Sequence, residues 1–191
     1  MGRKYEKHIY TLVFVGVMAA LVFVANYIKI NIPTPMGDTR LKVANAICLL
    51  CGMMFGGVYG GLASGIGTCL YDLVNGYADS ALYSFVAFFI MAAVCGFLSH
   101  TGGEKGENVK RNIPAAIAGA LTYFVIYSAR TIFLKGMIEK GLPFDRALIA
   151  ASTSMITSFI NVIIAVVLSN IIALPVIKAL RRTGLLSRME G

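Results

Sequence analysis

Tryptophan is absent from this chain, histidine occurs twice, and only nine of its 191 residues are acidic. So few histidines and acids leave little material for metal or general acid–base chemistry. His8 and His100 flank apolar runs and do not sit inside them. The four cysteines, Cys48, Cys51, Cys69 and Cys95, all fall within apolar segments. Cys48-x-x-Cys51 has a metal-like spacing but lacks a second pair or a nearby histidine. The cysteines therefore read as small core residues. A nucleotide loop is missing too: the glycine-rich stretch 57–72, GVYGGLASGIGTCLYD, has no lysine after its last glycine. These absences argue against a metal, a bound cofactor or a catalytic triad.

What is present is apolar sequence. Apolar residues make up 58% of the chain and mean hydropathy is +0.77, against roughly 45–50% for a soluble domain. The runs are unbroken rather than alternating, which excludes a transmembrane barrel. Six of them approach the length that crosses a ~30 Å hydrocarbon core: Ile9–Ile30, Val43–Gly57, Val58–Gly76, Ser80–Ser99, Ile113–Leu134 and Ala147–Leu174. The second is short, so it is expected to be tilted, broken or buried in the bundle. Arg3-Lys4 before the first run resembles a leader, but the run exceeds the usual length and no small-x-small cleavage site follows. The expectation is one all-α domain over residues 1–191, a compact bundle of six transmembrane helices.

Six crossings put both termini on one side. That side carries Arg3, Lys4, Lys7, Lys105, Lys110, Arg111, Lys178, Arg181, Arg182 and Arg188, ten bases. The other carries Lys29, Arg40, Lys42, Lys135, Lys140 and Arg146, with Arg130 inside a span. Positive residues favour the cytoplasm, so both termini are expected there. The net charge of +8 sits in short loops beside spans. Anionic lipid headgroups account for it, and no nucleic-acid partner is expected.

Within lipid, helices gain nothing hydrophobic by pairing, and small residues let their backbones approach. In the third run Gly57, Gly61 and Gly65 step by four, as do Gly60, Ser64, Thr68 and Asp72. The glycines therefore read as packing residues, and their face ends at Asp72. At about 1.5 Å per residue that acid lies about 20 Å from the cytoplasmic end. An intramembrane acid is either a buried ion pair or a ligand group. The fifth run presents Tyr123, Tyr127, Arg130 and Thr131 on one face, and the sixth presents Ser154, Thr157, Ser158 and Asn161. These rows and Asp72 share a depth, which points to a polar pocket open to the outside. The loop Asn31–Arg40, stiffened by Pro33 and Pro35, brings Asp38 and Arg40 to its mouth. Tyr77, Tyr83 and Tyr127 near the rim suit a flat ring. Asp72, Arg130 and Asn161 suit its polar substituents.

The run from Ile32 to Phe97 resembles the S-components of energy-coupling-factor (ECF) vitamin transporters, nearest the riboflavin branch. The resemblance rests on a proline-rich loop, Gly37-Asp38, Phe55-Gly-x-x-x-Gly60 and Cys69-x-x-Asp72-Leu-x-x-Gly76-Tyr77. It implies a subunit in a prokaryotic plasma membrane that binds one vitamin-like solute from outside. Riboflavin, a B6 vitamer, a thiamine-precursor pyrimidine and a queuosine precursor all remain open. It further implies docking on a transmembrane T-component with two ABC ATPases, through Ala-x-x-x-Ala on the first span. Here Gly16-x-x-x-Ala20 stands in that place, with glycine for the first alanine. The alternatives are a stand-alone secondary transporter or small channel, for which neither an internal repeat nor a crossing chain of ionisable groups is present, and a membrane enzyme, for which no clustered catalytic groups exist.

Overall fold

The computed structural model describes residues 2–33, 39–103 and 106–183. The protein is all-α, 86% helical. In chain order the elements are α1 (Gly2–Ala25), β1 (Lys29–Ile32), β2 (Thr39–Lys42), α2 (Ala44–Val74), α3 (Ala78–His100), α4 (Val109–Ala129) and α5 (Phe144–Arg182). A π-helical segment, Arg130–Glu139, continues α4. Four helices among the described residues are long and apolar enough to cross a membrane: Ala44–Val74, Ala78–Gly103, Val109–Glu139 and Phe144–Arg182. The apolar part of α1, Ile9–Ala25, is shorter. The chain is a multi-pass membrane protein.

The second and third expected spans fall within α2, which breaks at Gly56 (φ 77°, ψ −175°). Positive φ costs glycine nothing and other residues a clash, so the reversal sits there. The second arm folds back along the first. A Cβ on Gly60 would lie 2.6 Å from the Cys51 carbonyl oxygen, and Ser64 Oγ donates to the Cys48 carbonyl at 3.3 Å. Residues 44–55 of the first arm span only about 18 Å at ~1.5 Å per residue, short of a ~30 Å core.

The two glycine rows do not form one broad face against one neighbour. Gly57, Gly61 and Gly65 meet Phe97, Phe89 and Phe85 of α3, whereas Gly60 and Ser64 meet the first arm. Gly67 lies against Ala19 and Val22 of α1. The second arm therefore sits at the centre, with glycine on each side that a neighbour approaches. Around it the core is aliphatic and sulfur-rich, with Leu49, Met53, Met91 and three of the four cysteines fully buried.

Other boundaries shift for physical reasons. The first helix stops at Ala25 instead of Ile30, because Lys29–Ile32 pairs antiparallel with Thr39–Lys42, Lys29 opposite Lys42 and Asn31 opposite Arg40. The sixth run does not stop before Pro175: α5 continues to Arg182. The rings of Phe14 and Phe55 meet at 6.3 Å, and Ile177 packs by Gly106 and Met53. The N-terminal half of α1 and the C-terminal part of α5 thus share the Gly56 end of the molecule, and the β-hairpin lies at the other.

Candidate functional site

At the β-hairpin end a cavity of about 340 Å³ opens between α2, α3, α4, the π segment, α5 and β2. The short first arm of α2 starts below it, and Asn45 in that arm's first turn lines it. Asp72, at the end of the packing face, also lines it and accepts a hydrogen bond from the Ser84 hydroxyl of α3. Asp72 and Arg130 do not pair. Arg130 instead donates to Ser80 Oγ at 2.8 Å and lies over the Tyr83 ring, 4.1 Å from its centre. Lys42 of β2 shares the cavity with Asp72, and its ammonium donates to Asn26 Oδ1 at 3.1 Å. Burial pushes the Lys42 pKa down to about 8, and attraction to Asp72 opposes that fall.

Asn161 works at the joint between α5 and the hairpin. Its Oδ1 accepts from the Lys42 backbone N–H at 3.0 Å, and its Nδ2 donates to the Arg40 carbonyl at 2.7 Å. One amide thus replaces a neighbouring strand for two backbone groups of β2. Arg40, so held, stacks over Tyr77 at 4.2 Å. Aromatic faces supply the remaining walls: Phe88 and Tyr123 meet at 4.8 Å, and Tyr123 stacks with Tyr127 at 6.1 Å. Two of the lining residues carry a buried polar atom without a hydrogen-bond partner, Asn45 Oδ1 and Tyr83 Oη.

Of the residues expected from sequence, Arg40, Asp72, Tyr83, Tyr127, Arg130 and Asn161 converge on this cavity. Thr157 does not line it: its hydroxyl turns back to the Thr153 carbonyl at 3.0 Å, and the adjacent Ser158 faces the cavity. Asp38 lies outside the described residues. Lys42, Asn45, Ser80, Ser84, Phe88 and Lys135 line the cavity without having been singled out. The alternation of 29–32 and 39–42 was the available signal for the hairpin that carries Lys42. Nothing comparable marks Lys135, which the π register turns inward.

Gly16 and Ala20, expected to dock a partner, lie exposed on α1 away from the cavity. A Cβ on Gly16 would meet nothing within 4 Å. Leu12, Val13, Val17, Leu21 and Val24 are exposed on the same helix.

Comparison with known proteins agrees with this architecture. The chain is 26% identical over 102 residues to a Pyrococcus woesei protein described as "Uncharacterized protein in gap 3'region", covering 51% of this chain and 68% of that one. No solved structure matches. The model of the family described as ECF-type riboflavin transporter, S component, matches residues 6–182, nearly the whole chain, and the protein belongs to that family.

Proposed function

We propose that this chain is the substrate-specificity subunit of an ECF-type importer in a prokaryotic plasma membrane. Its chain passes between the two membrane faces six times, the two arms of α2 counting separately and the short first arm reaching through only part of the core, with both termini in the cytoplasm. The observation that carries the reading is the polar, tyrosine-lined cavity at the end opposite the termini. Its size of about 340 Å³ lies within the usual range for small-molecule sites. An aromatic vitamin-like ligand, of which riboflavin, a B6 vitamer, a thiamine-precursor pyrimidine and a queuosine precursor are examples, enters from outside. Tyr83, Tyr127 and Arg130 contact it, with Asp72 and Asn161 fixing the walls.

No residue set for ATP hydrolysis is needed in this subunit, because a T-component and two ABC ATPases supply the energy. They dock on the exposed face of α1 around Gly16 and Ala20, which is flat enough for another helix to approach closely. Liposomes containing the chain with and without these partners test the assignment. Uptake should require both partners and ATP. In Gly16→Leu and Ala20→Leu variants uptake should fall at least tenfold while ligand binding to the isolated chain is kept. Uptake by the chain alone on an ion gradient would replace the reading with a secondary transporter.

A further inference from the structure

The cavity is unbalanced in charge. Among the described residues, Arg40, Lys42, Arg130 and Lys135 line it against a single acid, Asp72. Asp72 is already engaged by Ser84 and acts on Lys42. That leaves three cations facing one space without a lining acid among the described residues. All three line the one cavity, Arg130 and Lys135 from the π segment and Arg40 from β2. Glu139, at the end of that segment, does not line it. Like charges gathered at a half-buried site oppose the compact state unless something neutralises them.

The backbone brings this about. In an α-helix, residues five apart point about 140° from each other at ~100° per residue. Arg130 and Lys135 are five apart and both reach the cavity, because Arg130–Glu139 is a π-helix whose i→i+5 register stacks them. π segments are uncommon and recur at functional sites. Both arginines sit over tyrosine rings, Arg40 4.2 Å from the centre of Tyr77 and Arg130 4.1 Å from that of Tyr83. A guanidinium so placed keeps its in-plane N–H groups for a planar or tetrahedral anion. Asn45, only 3% exposed, lines the same cavity, and its Oδ1 is buried with no donor to satisfy it.

We infer that the ligand of this cavity carries an anionic group, a carboxylate or a phosphate, held by Arg40, Arg130 and Lys135, and presents a hydrogen-bond donor to Asn45. The inference rests on the proposed solute-binding function and narrows it, since it disfavours a neutral ligand. The anion supplies the missing counter-charge, and the tyrosine walls accept the ring beside it.

Two measurements test it. Mass spectrometry of the small molecule extracted from the detergent-purified chain reads the ligand's charge directly. Calorimetry with matched pairs measures preference: riboflavin against riboflavin 5′-phosphate, pyridoxine against pyridoxine 5′-phosphate, and nicotinamide against nicotinate. The expected results are an extracted anion, or at least tenfold tighter binding of the anionic member of a pair. That preference should shrink by about 10- to 100-fold in Lys135→Gln, the size of one charged hydrogen bond, and persist in Lys135→Arg. A neutral or cationic extracted molecule, or equal binding of the members of a pair that binds, overturns the inference and leaves the transport subunit reading intact. If nothing is extracted and no compound binds, both fall together.

Discussion

The two ends of the molecule are joined in different ways. At the cavity end, helices and hairpin meet through side chains: Asn161 to β2, Lys42 to Asn26, Arg130 to Ser80, and Arg40 over Tyr77. At the Gly56 end side-chain bonds also occur, His100 to the Met53 carbonyl and Asn112 to the Gly106 carbonyl, but there backbone meets backbone as well. Gly96 of α3 lies against the Gly56 peptide, Gly52 against the Ala92 carbonyl, and Gly106 against the Met53 carbonyl. Side-chain bonds can be exchanged for bonds to a solute at small net cost, because one polar partner replaces another. Glycine contacts have no such exchange, since any added atom must displace a main chain. A binding site belongs at the first kind of end and a fixed pivot at the second.

The most severe way to break this contrast is one methyl group. In Gly96→Ala the new Cβ would lie 2.6 Å from the Gly56 carbonyl oxygen and from the Gly57 nitrogen, both main-chain atoms. The cost should reach the upper part of the ~1–3 kcal/mol range for overpacking, seen as a large drop in melting temperature or loss of monodisperse protein. Gly57→Ala adds the same atom, 2.6 Å from the Phe97 ring. That ring is 59% exposed and can swing away, and alanine favours the helix by roughly 0.8–1 kcal/mol over glycine. Gly57→Ala should therefore melt within a few degrees of the parent. Equal losses in the two variants would show that the backbone contacts are not what fixes this end.

Changes at the cavity end should separate binding from folding. Arg130→Gln removes a cation that lines the cavity and that, among the described residues, donates to Ser80 and sits over the Tyr83 ring. Ligand affinity should fall about 10- to 100-fold, one charged hydrogen bond, with the ligand-free melting temperature little changed. Asp72→Asn should do the reverse in part. It removes the one carboxylate that attracts Lys42, so the ligand-free protein should melt lower. Thermal melts with and without ligand distinguish the two. Unchanged affinity in Arg130→Gln would take Arg130 out of the site.

The difference between the ends also explains what could be read beforehand. Helix positions follow from apolar runs, and the reversal between the second and third runs falls at Phe55-Gly56-Gly57, where glycine permits positive φ. The glycines were legible as packing residues because lipid leaves them few other uses. Which helix each row meets was not, since Gly57 and Gly60 differ only in which neighbour comes close. At the cavity end, Asp72, Tyr127, Arg130 and Asn161 stood out as polar residues inside apolar runs. Lys42 and Lys135 did not, because each sits at a run's margin, where lysines are ordinary. Only hairpin pairing and a π register, both set by tertiary packing, turn them inward. That Asp72 and Arg130 find different partners was hidden for the same reason. Depth along a helix is written in the sequence, but Ser80, Ser84 and Lys42 decide which neighbour each charge finds.

A last expected effect is a pH dependence centred on Lys42, and it sharpens the comparison because the Gly56 end should not share it. The groups acting on Lys42 are Asp72 and Cys48, which raise its pKa, and Arg40 and Lys29, which lower it, but burial dominates and brings it to about 8. In the unfolded chain the value returns to about 10.5. Below pH 8 both states hold the proton, and the folded state bears the full cost of a desolvated ammonium. Between about 8 and 10.5 the unfolded state binds more protons than the folded one, so stability should rise with pH. Above 10.5 the difference levels off. Lys42→Met should remove this rise, leaving a flatter profile across the same window. For an anionic ligand the direction is opposite: affinity should weaken as pH passes 8, because the Lys42 charge that attracts the ligand is lost. Melting curves of parent and Lys42→Met between pH 7 and 10.5, with and without ligand, read both slopes. A parent profile parallel to that of Lys42→Met would mean that Lys42 keeps an ordinary pKa and that water reaches it freely.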